Sequence, residues 1–299
     1  MSAARALLQG LLDARLAARA RGWLADAAAE VAGLAPGPAG RFPTLISLAS
    51  RALPRGPLAP NADERGQAAA VLAGWNPERW SILDAGRAVL VLSRADLASE
   101  AGVAALEDCF RHADLGELVS LYRTLCLLPE PQRFAWRAGE GCRSSMRAVY
   151  EAAACDSPLP SRAFDDGAWR QLVIKAVFVG APLWRVHGLD QRLDPELARM
   201  ALDLVDERRA AGRRVQPELW LALGSHAGER GAAALERELA GDWAPGRAAA
   251  ALGLARAGRL DPVRAALARE DDPLARAAME SALAGAHDQF SFAPLHGLE

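Results

Sequence analysis

QLVIKAVFVGAPLWRVHGLD, residues 171–190, is the stretch that decides between helix and sheet in this chain. Val, Ile and Phe crowd it, which is the composition of a strand. Against that, Trp169, Leu172, Val173, Ile174, Ala176, Val177 and Phe178 continue a pattern that suits a helix. Asp165 or Asp166 stands where an N-cap belongs, and Gly180 and Pro182 stand where a helix should stop. The spacing predicts a helix over 166–179, apolar round nearly all of its circumference and therefore buried. Its polar stripe is Gln171 and Lys175, four residues apart and so neighbours on one face. Lys175 is the only lysine in the sequence, set among arginines. Two readings of it stay open. Facing solvent, its stem lies along apolar surface with the ammonium hydrated. Facing inward, the ammonium needs an anionic partner, because an unpaired buried charge is untenable.

Helix starts elsewhere support the helical choice. Asn76-Pro77-Glu78, Asp194-Pro195-Glu196, Asp261-Pro262 and Asp272-Pro273 each set an N-cap acceptor before a proline at the first helical position. The side-chain oxygen satisfies an orphaned amide, and proline has no amide to lose there. Gln216-Pro217-Glu218 is a weaker form of the same signal. AVLVLS at 88–93 continues a helical pattern begun upstream, and strand signals are otherwise poor. The fold class is all-α. Helices are expected over 61–74, 77–93, 97–112, 114–127, 129–138, 143–155, 166–179 and 195–211.

A repeat marks the last third. Pro217, Pro245 and Pro273 recur at one spacing in PELWLALGSHAG, PGRAAAALGLARAG and PLARAAMESALAG, which end on Gly228, Gly258 and Gly285. Shorter helices between them suggest a HEAT-like α-solenoid in the C-terminal third, with chance in an Ala-rich segment as the alternative. The chain reads as a single helical domain over 1–299. Residues 1–60 form an N-terminal amphipathic helix and a proline-rich arm, APGPAGRFPTLISLASRALPRGPLAP at 35–60. Residues 61–212 form a helical core, 213–286 the repeats, and 287–299 a tail.

Composition bounds the function. A net charge of −2 over 299 residues argues against a dedicated nucleic-acid binder. No run is apolar enough to span a bilayer, and the N-terminus lacks a signal-peptide core. Cys109, Cys126, Cys142 and Cys155 form no CxxC pair, which suits reduced thiols in a cytoplasmic protein. No cofactor or strong metal motif is present; His287, Asp288 and His296 could bind a metal, but their spacing is loose.

Two segments carry candidate binding residues. In PQRFAWRAGEGCRSSMRAVYEA (131–152), Gly139-Glu140-Gly141 is expected to break one helix, leaving Ser144 and Ser145 near the start of the next. Free amides there, with Arg143, would suit an anion such as a carboxylate or phosphate. An ordinary helix–loop–helix with solvated arginines is the alternative. In LWRVHGLD, Trp184, Arg185, His187 and Asp190 share a turn. His187 with Asp190 could form a base held by a carboxylate, or a satisfied loop histidine.

These same segments resemble the EboA family. The likeness is strongest in RAGEGCRSSMRAVYEA and in WRQLVIKAVFVGAPLWRVHGLDQRLDPELARMALDLVDERRAAGRRVQPELW, over about 130–224, and looser in NPERWSILDAGRAVLVLS at 76–93. Family members are described as metabolite traffic proteins, encoded beside a membrane prenyltransferase-like protein and a sugar-phosphate isomerase-like protein. The resemblance implies an accessory, non-catalytic role in secondary metabolism. The expected partners are an acidic small-molecule metabolite or proteins of the same pathway. It carries over no catalytic residues. Three roles are set against one another: a binder of an acidic metabolite using Arg143, Ser144, Ser145 and Lys175, with Trp169 or Trp184 as an apolar wall; a helical scaffold for neighbouring enzymes; and an enzyme acting on a prenyl or sugar phosphate through His187 and Asp190.

Overall fold

A computed structural model describes residues 2–38 and 40–298. The described residues contain helices and no strand; Pro57 and Ser81 form an isolated antiparallel bridge. The chain divides into two compact units, one ending at Phe164 and the other starting at Asp165.

The first unit is organised round the helix Ile82–Leu92, in which every residue from Leu83 to Leu92 is buried. Ser81 and Asp84 start it with a reciprocal capping box. The helices Ala3–Asp13, Ala18–Ala32, Arg41–Ala52 and Leu115–Thr124 pack against it. Two charged side chains come with it into the core, Asp84 and Arg87. Asp84 accepts from Ser81 N at 2.8 Å, Ser120 Oγ at 2.7 Å and Arg123 Nη1 at 2.5 Å. Arg87 donates to the Ile46 carbonyl at 3.1 Å and lies 3.6 Å from Glu117. Buried charge is thereby paired and hydrogen-bonded, the condition under which it is tolerated.

The proline-rich arm is more regular than expected. A helix, Arg41–Ala52, occupies its middle, with Pro43 in the first turn where its missing amide costs nothing. Arg94 holds the arm to the body, donating to the carbonyls of Ala35 (3.3 Å) and Gly37 (3.2 Å), while Asp96 accepts from Gly37 N.

In the second unit the helix Ala244–Arg256 is central. It packs against Gly228–Leu239, Pro273–Leu283 and two 3₁₀ helices, Pro217–Ala222 and Gln289–Leu295. Ala248 to Ala251 are buried, and these small side chains let neighbouring axes approach closely. Pro217 opens a 3₁₀ turn, not an α-helix, and Gly228 starts the next helix instead of closing the last one. Gly258 and Gly285 take positive φ, as left-handed helix ends require. Asp194 and Asp272 cap as predicted, whereas Asp261 lies inside the helix Leu260–Leu267. Residues 287–299, read as a tail, include the 3₁₀ helix Gln289–Leu295, with Gln289, Phe292 and Leu295 buried.

Candidate functional site

The helix Asp166–Val179 has the predicted bounds. Asp165 caps it, accepting from Ala168 N at 2.7 Å, and Gly180 at φ 66° ends it in the left-handed conformation that glycine tolerates. It is buried on one face only, through Trp169, Leu172, Val173, Ala176 and Val177. Gln171 and Phe178 are exposed, and Ile174 and Lys175 are half-buried. Lys175 therefore sits on the outer stripe of the helix, and no carboxylate pairs with it among the described residues.

The chain then turns through Leu183–Arg185 and the loop to Asp194. Trp169 fastens this loop to the helix: its indole N–H donates to the Arg192 carbonyl at 3.0 Å, and the Arg192 guanidinium stands 4.7 Å over its ring. The C-terminal 3₁₀ segment fastens the loop from the other side. Gln289 Nε2 donates to the carbonyls of Trp184 (2.7 Å) and Val186 (3.0 Å), and its Oε1 accepts from Asp190 N at 3.3 Å. Gln289 N in turn donates to Asp190 Oδ2 at 2.9 Å. Asp190 Oδ1 accepts from Arg256 Nη2 at 2.6 Å, and Arg256 Nη1 donates to the His287 carbonyl at 2.9 Å.

Beside this junction lies a cleft of about 370 Å³, lined by Asp190, Arg256, Ser225, His226, His287 and Asp288, with Leu193, Gly224 and Gly285. The Arg256 side chain is 8% exposed, and its Nε has no hydrogen-bond partner.

A second polar contact secures the same segment. Glu218 is buried, accepts from Trp184 N at 3.1 Å, and meets His296 Nδ1 at 2.5 Å. Burial pushes the Glu218 carboxyl above its ordinary range, although the hydrogen bond from His296 pulls the other way. A carboxyl raised in the folded state favours the fold at low pH, and that contribution is lost as pH rises through the raised value. Glu218→Gln is therefore expected to flatten the fall in stability of the second unit above about pH 4.5, followed by thermal melts across a pH series. An unchanged pH profile would contradict it.

The predicted site residues are divided between the units. Trp184, Arg185, His187 and Asp190 share the loop; Arg185 and His187 are half-buried and each has an interaction partner. Arg143, Ser144 and Ser145 belong to the first unit. There the helix Ala135–Arg143 runs unbroken through Gly139-Glu140-Gly141, and the break falls at Ser144–Met146. Gly141 is required by packing: a Cβ would come within 2.7 Å of the Tyr122 ring and 2.6 Å of Ala153 Cβ. Arg143 is an exposed partner of Glu140, and Ser144 Oγ accepts from Met146 N at 3.1 Å. An exposed i,i+3 pair contributes little, so Arg143→Ala should change stability by no more than about 0.5 kcal/mol in a urea titration.

Sequence reasoning did not find Glu218, Arg256 or Gln289 as site residues, and it placed His296 only in a weak metal set. The Pro217-Glu218 signal was read as a helix start, and Arg256 and Gln289 carry no local motif. Burial pushes the thiols of Cys109, Cys126 and Cys142 up to about 12, which leaves them as unreactive core residues.

Fold and site together define a helical protein with a small polar cleft of the size that takes a metabolite. A family model described as metabolite traffic protein EboA matches residues 4–224, so the chain belongs to the EboA family. The match reaches well N-terminal of the block at 130–224 and ends at Gly224, one residue before the Ser225 that lines the cleft. Comparison with curated proteins and with solved structures yields no match.

Proposed function

We propose that this chain binds a small polar metabolite without transforming it, and holds it in the cleft between Asp190 and Arg256. The carrying observation is the cleft itself: about 370 Å³, walled by a loop that Gln289 ties down through bonds to Trp184, Val186 and Asp190. Site volumes of small-molecule binders begin at about 300 Å³. A preorganised wall lowers the ordering cost of binding. Arg256 and the imidazoles of His226 and His287 line the cleft beside the carboxylates of Asp190 and Asp288, so it presents both donors and acceptors to a polar ligand.

The test is native mass spectrometry of the protein purified from its own host, alongside Asp190→Ala. The expected result is a small-molecule adduct that the variant loses. Protein that carries no adduct, yet co-purifies with pathway enzymes, would favour the scaffold reading. That second reading draws on exposed aromatics, Trp136 in the first unit and Phe178 in the second, 54% and 61% exposed. In it, the helix pairs of the last third act as a HEAT-like docking face for neighbouring enzymes or for a membrane prenyltransferase-like protein.

A further inference from the structure

The part of the ligand that enters the Asp190–Arg256 cleft, we infer, is an uncharged, hydroxyl-rich group such as a polyol or sugar moiety. This rests on the binding role proposed above and narrows its ligand.

The charge balance of the lining carries the inference. Arg256 is matched by Asp190 at 2.6 Å, and Asp288 adds a second carboxylate to the wall. A free anion entering the cleft meets two carboxylates and one guanidinium that is already engaged, so the Coulomb term opposes it. A bare ammonium is drawn by the excess carboxylate, yet among the described residues only one of the four carboxylate oxygens, Asp288 Oδ2, accepts no hydrogen bond. Asp190 spends one oxygen on Arg256 and the other on Gln289 N, while Asp288 Oδ1 accepts from Ser291 N and Oγ, both at 3.0 Å.

What the wall does offer is a mixture of single donors and acceptors. The Ser225 hydroxyl and the exposed His226 imidazole can each give or take one hydrogen bond. The carboxylates keep lone pairs beyond those already used. Arg256 lines the cleft with its outer nitrogens engaged by Asp190 and the His287 carbonyl. A hydroxyl donates and accepts at one oxygen, so it can bridge a carboxylate and a neighbouring donor without bringing charge into the site. Leu193 supplies a short apolar wall for the carbon face of such a molecule.

The experiment uses the full chain with mannitol and glucose as probes, citrate and inorganic phosphate as anionic rivals, and ethanolamine as the cationic one. Binding is read by saturation-transfer NMR and calorimetry. The expected result is binding of mannitol or glucose at millimolar concentration, weakened about tenfold in Ser225→Ala/His226→Ala, since one or two ligand hydrogen bonds are lost. Those rim positions are exposed, so the double variant keeps the fold even where Arg256→Met does not. Binding of citrate, phosphate or ethanolamine without either polyol overturns the inference. So does a polyol signal that the rim variant leaves unchanged, or the absence of any polyol signal. The host-purified protein separates the two levels of the argument. No adduct at all defeats the metabolite-binding role, whereas an anionic adduct lost with Asp190→Ala keeps that role and defeats only the ligand class.

Discussion

Asp84→Ala is expected to destabilise the first unit by about 3–5 kcal/mol, the range for breaking a buried charge pair from one side. Asp84 is 7% exposed and gathers Ser120 and Arg123 from one neighbouring helix and Ser81 from its own cap. Alanine leaves the Arg123 guanidinium without its carboxylate and the Ser120 hydroxyl with only the Gly116 carbonyl, 2.9 Å away. It also removes the carboxylate half of the capping box at Ser81, a further loss in the same direction. Asp84→Asn should cost less, because an amide oxygen still accepts while the charge that answers Arg123 is gone. Urea titration with a probe in the first unit measures both. A loss below about 1 kcal/mol for the alanine variant would show that the network contributes no more than an ordinary surface contact.

Gln289→Ala should be strongly damaging to the second unit. One side chain, 4% exposed, makes three hydrogen bonds to the backbone of 184–190. Truncation leaves the Trp184 carbonyl and the Asp190 amide without these partners and the Val186 carbonyl with Leu189 N alone at 3.3 Å, each lost bond at about 1–3 kcal/mol before relaxation. Relaxation will recover part of this, so a net loss of about 2–4 kcal/mol is expected. The functional mark is sharper than the thermal one. Hydrogen exchange at Asp190 N should rise, and the cleft should lose its ligand, because Gln289 sets the position of Asp190. Gln289→Glu should be as bad or worse, since a carboxylate would face the carbonyls of Trp184 and Val186. Unchanged protection over 184–190 in either variant would contradict this account.

Much of the fold was readable from local rules. The helix Asp166–Val179 followed from cap, period and terminal glycine despite its strand-like composition, and Asp194 and Asp272 cap as their sequence context requires. Failures came where a distant partner outweighed the local signal. Gly139 and Gly141 look like a break, yet the helix continues because Tyr122 and Ala153 pack into the space that a side chain at 141 would fill. The helix Arg41–Ala52 was hidden by flanking prolines and glycines that mark its boundaries.

The site divides along the same line. Trp184 and Asp190 stand out in a dense motif, so sequence reasoning reached them. Arg256 and Gln289 lie in a repeat and a tail with no motif, and only the tertiary fold brings them to Asp190. Lys175, the most conspicuous residue on paper, stands on the outer stripe of its helix.

The contacts of Gln289 with Trp184 and Asp190 join residues 105 and 99 positions apart in sequence. Pairings of such long range slow folding, because loop closure must precede any reward. On the ribosome, the loop at 183–190 emerges roughly a hundred residues before its clasp, several seconds at ordinary elongation rates. During that interval the carbonyl of Trp184 and the amide of Asp190 lack the side chain that later ties them down, so the wall of the cleft is completed last.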